Sequence, residues 1–147
     1  MKESEPNLVH RYVGRCACGS LEVWLESGLA AETFQPRSDA PTCAFCREHD
    51  GVWISDPNGA LDLRAADRTS VRRFASAQVE FHFCFTCGEL GYAIFADAPR
   101  DAAVAVVRVA LFEAIRTATQ PTITTSFEGE PLAVGRQRRL AKWTPVR

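Results

Sequence analysis

Apolar and polar residues alternate with period two along much of this chain, the pattern of half-buried strands. Leu21-Glu22-Val23-Trp24-Leu25-Glu26 alternates in this way, and Val79-Glu80-Phe81-His82-Phe83 repeats the pattern and runs directly into Cys84. Tyr12 to Arg15 is a shorter strand entering Cys16, and Thr122 to Phe127 is a further one. Leu90 to Phe95 and Val104 to Leu111 are more continuously apolar and read as more deeply buried strands. Val52-Trp53-Ile54 and Leu61-Asp62-Leu63 flank Asp56-Pro57-Asn58-Gly59, where Asn-Gly offers the positive φ of a tight hairpin. Helical signals are sparse. Cys46 to Asp50 has room for one turn, Leu111 to Ala118 is ambiguous between strand end and short helix, and Arg136 to Lys142 has helical propensity without a strong apolar face. Residues 28–42, with Gly28, Pro36 and Pro41, read as a long loop. Short strands at close spacing with turn punctuation predict a mostly β fold.

The length, 147 residues, suits one domain, and 46% hydrophobic against 24% charged residues is ordinary for a globular chain. We divide it into an N-terminal extension (1–11), a domain (12–135) and a basic C-terminal tail (136–147). The net charge is −1, but twelve bases stand against eighteen acids in residues 1–135, while residues 136–147 hold five bases and no acid. A solvated tail complementing an acidic body is the favoured reading over a nucleic-acid arm, so no nucleic-acid partner is expected. The start, Met1-Lys2-Glu3-Ser4-Glu5-Pro6, is polar and unlike a secretory leader. No stretch reaches the roughly 20 apolar residues of a membrane span; the longest candidate, Ala102 to Phe112, is broken by Arg108. A cytoplasmic location, with no membrane partner and with reduced thiols, is therefore expected.

Reduced thiols change the meaning of the six cysteines, which fall into three tight pairs: Cys16 and Cys18, Cys43 and Cys46, Cys84 and Cys87. Two such pairs complete a tetrahedral zinc site. The first and third pairs each follow a strand and end at a glycine, Gly19 and Gly88. This is how a zinc knuckle is built, since glycine lets the backbone turn and aim amide N–H groups at sulfur. Cys16, Cys18, Cys84 and Cys87 are therefore expected to hold a structural zinc. A site of four thiolates has no open position for catalysis. The competing reading is a set of buried free thiols or redox dithiols.

The same residues carry a family resemblance. Gly14-Arg15-Cys16-Ala17-Cys18-Gly19-Ser20-Leu21, Cys43-Ala44-Phe45-Cys46-Arg47 with Gly51, and Phe83-Cys84-Phe85-Thr86-Cys87-Gly88 resemble, in order and spacing, the motifs of the glutathione-dependent formaldehyde-activating enzyme family, which also contains centromere protein V. The resemblance spans roughly residues 12–113. It implies a twisted β-tent of packed antiparallel sheets clipped by the structural zinc. It also implies a second, catalytic zinc on the middle motif, and carbon–sulfur lyase activity on small thiol–aldehyde adducts of the S-hydroxymethylglutathione type.

The chain departs from that family in its middle motif. The family has three cysteines there, in the pattern C-H-C-x-x-C, and the first position is Pro41 here. His82 replaces an arginine that the family usually carries two residues before the third pair, and the family's C-terminal P-x-x-H-I motif lacks its histidine, at Pro121-Thr122-Ile123-Thr124. Two thiolates hold zinc poorly. His49, three residues after Cys46, restores a Cys₂His set if that segment turns as a helix. Cys43, Cys46 and His49 are thus the candidate second zinc site, and Cys43 and Cys46 the candidate catalytic residues. A loop histidine facing solvent is the plainer reading of His49. His82 is expected to be exposed or to line a pocket, and His10 has no assigned role. Three functions remain in play: a zinc-dependent lyase with a small-molecule thiol substrate, a non-catalytic zinc-stabilised binding domain that has lost its second metal, and a redox protein using Cys43 and Cys46.

Overall fold

The computed structural model describes residues 9–38, 48–64, 69–73, 79–95, 103–124 and 130–147, and counts and absences refer to these residues. The chain is mostly β, built as two packed sheets. Strands β1 (His10–Arg15), β2 (Glu22–Ser27) and β5 (Ala60–Asp62) form a three-stranded antiparallel sheet in the order β1-β2-β5. β3 (Arg37–Ser38), β4 (Trp53–Ile54), β6 (Thr69–Arg73), β7 (Val79–Cys84), β8 (Leu90–Phe95), β9 (Val104–Arg108), β10 (Ile123–Thr124) and β11 (Thr144–Pro145) form an eight-stranded sheet. Its order is β10-β3-β4-β9-β8-β7-β6, with β11 continuing the β4 edge of β9. All its pairings are antiparallel except β10 with β3. Helix among the described residues comprises α1 (Glu113–Arg116), α2 (Leu132–Lys142), two short 3-10 turns, Ala31–Thr33 and Val109–Leu111, and Glu48, which is helical and leads into a turn at His49 and Asp50.

The period-two pattern explains the core. Leu21, Val23 and Leu25 project from the small sheet onto Tyr92, Ala105, Val107 and Ile54 of the large one. Phe34, Phe112 and Ile115 close the side, all fully buried. The β8 and β9 side chains are buried on both faces, because the outer face holds a second cluster of Val79, Ala93 and Val106 with Trp53, Phe81 and Trp143. That is why these strands read as continuous apolar runs.

Two hairpins set the architecture. β1 and β2 pair from His10 opposite Ser27 to Arg15 opposite Glu22. β7 and β8 pair in register as far as His82 opposite Tyr92, and then Phe83 stands opposite Leu90. The extra residue is Gly91 on β8, and the bulge lets the small sheet approach closely. A Cβ at Gly91 would stand inside the van der Waals envelope of Leu21 Cδ2. The tips of the two hairpins, residues 16–21 and 84–89, lie at the same end of the sandwich.

The opposite end is closed by polar bonds. Ser27, at the far end of β2, donates to buried Asp56 Oδ2 (2.6 Å). The Asp56 N–H donates to the fully buried Thr144 Oγ1 (2.8 Å). Val146 then bridges to Leu61 of the small sheet, and Arg147 N–H donates to Leu61 O (2.8 Å). The C-terminal strand thus stitches both sheets.

Several expectations change here. Asp56-Pro57-Asn58-Gly59 does form a turn, with Gly59 N–H donating to Asp56 O (2.9 Å), but it joins no hairpin. β4 and β5 lie in different sheets, and Gly59 has no positive φ. Glycine is required because a Cβ there would strike Glu26 O. His10 and Arg11, placed in an N-terminal extension, already belong to β1. Val104 to Leu111 is strand only as far as Arg108, and Leu111 to Ala118 contains the short helix α1. The expected loop 28–42 includes a 3-10 turn and β3, and residues 39–42 lie outside the described residues. Thr122 to Phe127 contributes β10 at Ile123–Thr124, with residues 125–129 outside the description. The basic C-terminal segment supplies most of α2 and all of β11, and its cations do meet acids, Arg138 with Glu130 and Arg147 with Glu26.

Gly91→Ala is expected to destabilise the fold by about 1–3 kcal/mol through overpacking. Leu21→Ala in the same chain should recover part of that loss. Denaturant unfolding of the two single variants and the double variant reads the coupling. Strict additivity would show that the close approach to Leu21 is not what demands glycine.

Candidate metal centre

Both hairpin tips close over the same six-residue span. Cys16 N–H donates to Leu21 O (3.1 Å), and Cys84 N–H donates to Glu89 O (2.8 Å). Gly19 N–H and Gly88 N–H turn back onto Cys16 O and Cys84 O (3.0 and 2.9 Å). The glycines have φ of 80° and 77°, a left-handed conformation costly for residues with a Cβ. Each tip presents one buried sulfur, Cys16 or Cys84, and one exposed sulfur, Cys18 or Cys87.

The four sulfurs all lie within 4.8 Å of one another. Cys16 Sγ is 3.5 Å from Cys18 Sγ, and Cys18 Sγ is 3.6 Å from Cys84 Sγ. A disulfide needs about 2.0 Å, so these are free thiols. A tetrahedron with metal–sulfur bonds of about 2.3 Å has edges of roughly 3.8 Å, close to the separations observed. Backbone amides also face the sulfurs: Leu21 N–H donates to Cys16 Sγ (3.3 Å) and Cys87 N–H to Cys84 Sγ (3.5 Å). Such donors offset the negative charge of a thiolate shell. The donor set therefore fits one tetrahedrally coordinated metal ion.

The thiols are not equivalent. Burial pushes Cys16 up to about 11, whereas hydrogen bonds from Ser20 pull exposed Cys18 down to about 6. The exposed Cys18 thiol therefore gives up its proton more readily than the buried Cys16 thiol. Metal binding must displace the proton on Cys16.

A carboxylate locks the two tips together. Glu89 Oε1 accepts from Ala17 N–H in the other tip (2.6 Å), and Oε2 accepts from Arg108 Nη1 (2.7 Å). Arg108 also donates from Nε to Asp50 O (2.9 Å) and from Nη2 to Asp50 Oδ2 (3.1 Å). Sequence reasoning missed Glu89 and Gly91. It noted Arg108 only as a break in an apolar run, although a lone charge inside a buried strand signals a fixed partner.

Of the second candidate site, His49 is half-buried with its ring edge-on to Phe83, at 5.2 Å between centroids. Its backbone neighbour Asp50, with φ 52°, is the residue Arg108 holds. Cys43, Cys46 and Pro41 lie outside the described residues. His82 is neither exposed nor a wall of the large cavity on the outer face of the eight-stranded sheet: it is buried, stacked on Tyr92 at 4.7 Å, with Nδ1 2.8 Å from Thr69 Oγ1. Alternation did place it opposite Phe81, but both faces of β7 are covered. Burial lowers its pKa, against an opposing pull from Glu80.

No protein-family model matches this chain, and no curated protein does. Among solved structures, a Rhodobacter sphaeroides protein determined as a structural genomics target is similar, with a TM-score of 0.54 and 21% identity, covering 77% of this chain and 99% of that one. At that identity the likeness is one of fold. Among the described residues no helix is long and apolar enough to cross a membrane.

Cys84→Ser should lose the bound metal and several kcal/mol of stability, because metal binding is linked to folding. Metal analysis and thermal unfolding of the variant check this; a metal-loaded, normally stable variant would refute the site. Affinity should also rise with pH. Protons compete with metal for Cys16 throughout the range below its raised pKa, whereas Cys18 has no proton left to displace above about pH 6. Between pH 6 and 9, zinc affinity measured against a competing chelator should climb by at least roughly tenfold per unit. A flat profile would contradict the desolvation of Cys16.

Proposed function

We propose that this chain is a zinc protein of the glutathione-dependent formaldehyde-activating type, a carbon–sulfur lyase acting on small thiol–aldehyde adducts. The observation that carries the reading is the convergence of Cys16, Cys18, Cys84 and Cys87 within 4.8 Å. These are the two pairs to which the sequence resemblance assigns the structural zinc, and they come from opposite ends of the matching region. The mostly β, two-sheet architecture agrees with it.

Cys43, Cys46 and His49 would hold the reactive ion. A zinc with three protein ligands and an open position supplies Lewis acidity and favours the thiolate form of a bound thiol. The surroundings support a fixed frame at the end of this motif. Arg108 anchors the Asp50 backbone and side chain, and through Glu89 it connects that segment to both hairpin tips. Phe83, with the Arg72 guanidinium over its ring at 4.7 Å, meets the His49 ring edge-on.

A second reading, a non-catalytic zinc-stabilised binding domain, is favoured by one specific residue: Pro41 stands where a third thiolate ligand would be. Zinc stoichiometry separates the two. The lyase reading expects two equivalents per wild-type chain, one after His49→Ala, and faster exchange between formaldehyde and a small thiol, followed by NMR, than in a protein-free control. A single equivalent with no acceleration selects the binding domain. Two equivalents retained by His49→Ala would show that His49 is not the third ligand.

A further inference from the structure

The outer face of the eight-stranded sheet carries a site of different chemistry, far in kind from the sulfur cluster. A cavity of about 770 Å³ lies between that face and the C-terminal end of α2. Trp53, Val79, Phe81, Ala93 and Val106 form an apolar floor, and Trp143 stands at the side. The border is cationic: Arg37 comes from β3, and Arg138, Arg139 and Lys142 come from α2. Among the described residues no acid lines it.

The four cations are not alike. Arg138 is held by Glu130 through two hydrogen bonds of 3.0 and 3.1 Å. Arg139 lies over the rings of Phe95 and Trp143. Arg37 and Lys142 are exposed and make no ion pair among the described residues. Two cations therefore stand at the rim of an apolar hollow with no anion among the described residues to meet them.

We propose that this cavity binds a small amphipathic anion, its apolar body on the Trp53–Phe81 floor and its carboxylate or phosphate head at the Arg37 and Lys142 rim. The volume lies within the range of pockets that enclose one small organic ligand. Apolar walls with a few charged groups at the mouth fix both affinity and orientation in such sites. A rim of a single sign concentrates oppositely charged ligands, and guanidinium suits both candidate heads. The site also accounts for the sequence's charge asymmetry. Residues 1–135 carry an excess of acid, yet three of the five cations of the basic C-terminal segment, Arg138, Arg139 and Lys142, line this one hollow. The binding goes beyond the zinc-based reading and does not depend on it.

Trp53 and Trp143 both line the cavity, so intrinsic fluorescence reports occupancy in the zinc-loaded full chain. The probes are decanoate and decyl phosphate, against decanol and decyltrimethylammonium, all below micellar concentrations. Saturable binding of an anion, at least tenfold tighter than decanol and without saturation by the cation, is expected. The tighter of the two anions identifies the head group. In Arg37→Gln with Lys142→Gln, the preference for the anion over decanol should fall by about tenfold or more, as loss of hydrogen bonds to charged groups implies, while decanol binding holds. Both positions are exposed, so this variant should fold; Ala93→Phe, which fills the floor, should abolish binding of both. Cys43→Ser with Cys46→Ser should leave anion binding intact, whatever it does to zinc. Absence of saturable binding, equal affinity for decanol and the anions, or an unchanged preference in the rim variant would overturn the proposal.

Discussion

Four sulfur atoms meeting between two sheets are the constraint on which the remaining structure depends. The small sheet has three short strands and would be marginal alone. Its contact with the large sheet is made by Leu21, Val23 and Leu25, and Leu21 is bound by its own backbone into the first hairpin tip. The tip is therefore both the start of the core and half of the four-sulfur cluster. Cys18 and Cys84 are 66 residues apart in sequence, so their meeting closes a long loop. A shared metal ion would make that closure favourable, since four thiols have little other reason to gather.

The other end uses different chemistry for the same task. Asp56 is buried, yet its carboxylate is fully engaged by Ser27 and by the Asn58 N–H, and its own N–H is taken by Thr144. Between a sulfur cluster at one end and this carboxylate network at the other, the sheets are held at both margins, and the apolar core has only to fill the middle. The outer face is less complete. α2 buries Gly135 alone, and Leu132, Val134 and Leu140 remain exposed, so the helix roofs the sheet loosely and leaves the hollow beneath its C-terminal end.

The strands and the four-cysteine cluster were legible from the sequence for a simple reason. Both are written locally: alternation in Leu21–Glu26 and Val79–Phe83, and a glycine closing each cysteine pair. What was misread is what depends on the neighbour. Asn58-Gly59 has the chemistry of a hairpin, but the glycine answers to the Glu26 carbonyl on another strand. His82 follows the alternation, yet its environment is decided by a second covering layer that no local pattern records. Glu89 and Arg108 are ordinary charges in sequence, and only the convergence of the two tips shows them as one bridge. The basic C-terminal residues were read from their charge, which gives no sign that Thr144 between them anchors the segment in the fold.

The symmetry of the two hairpin tips has a kinetic consequence. Each is completed by contacts within six residues, Cys16 to Leu21 and Cys84 to Glu89, so each can form on the microsecond timescale of an isolated hairpin. The slow event is their encounter, because it joins segments distant along the chain. A single tip offers two thiols, a weak chelate; the docked pair offers four. An ion captured early would dwell on one tip and be traded until the other arrives, so metal uptake acts as a latch that records the moment the sheets dock. The spacing of the cysteines thereby favours an order of assembly: local halves first, and the long-range union afterwards.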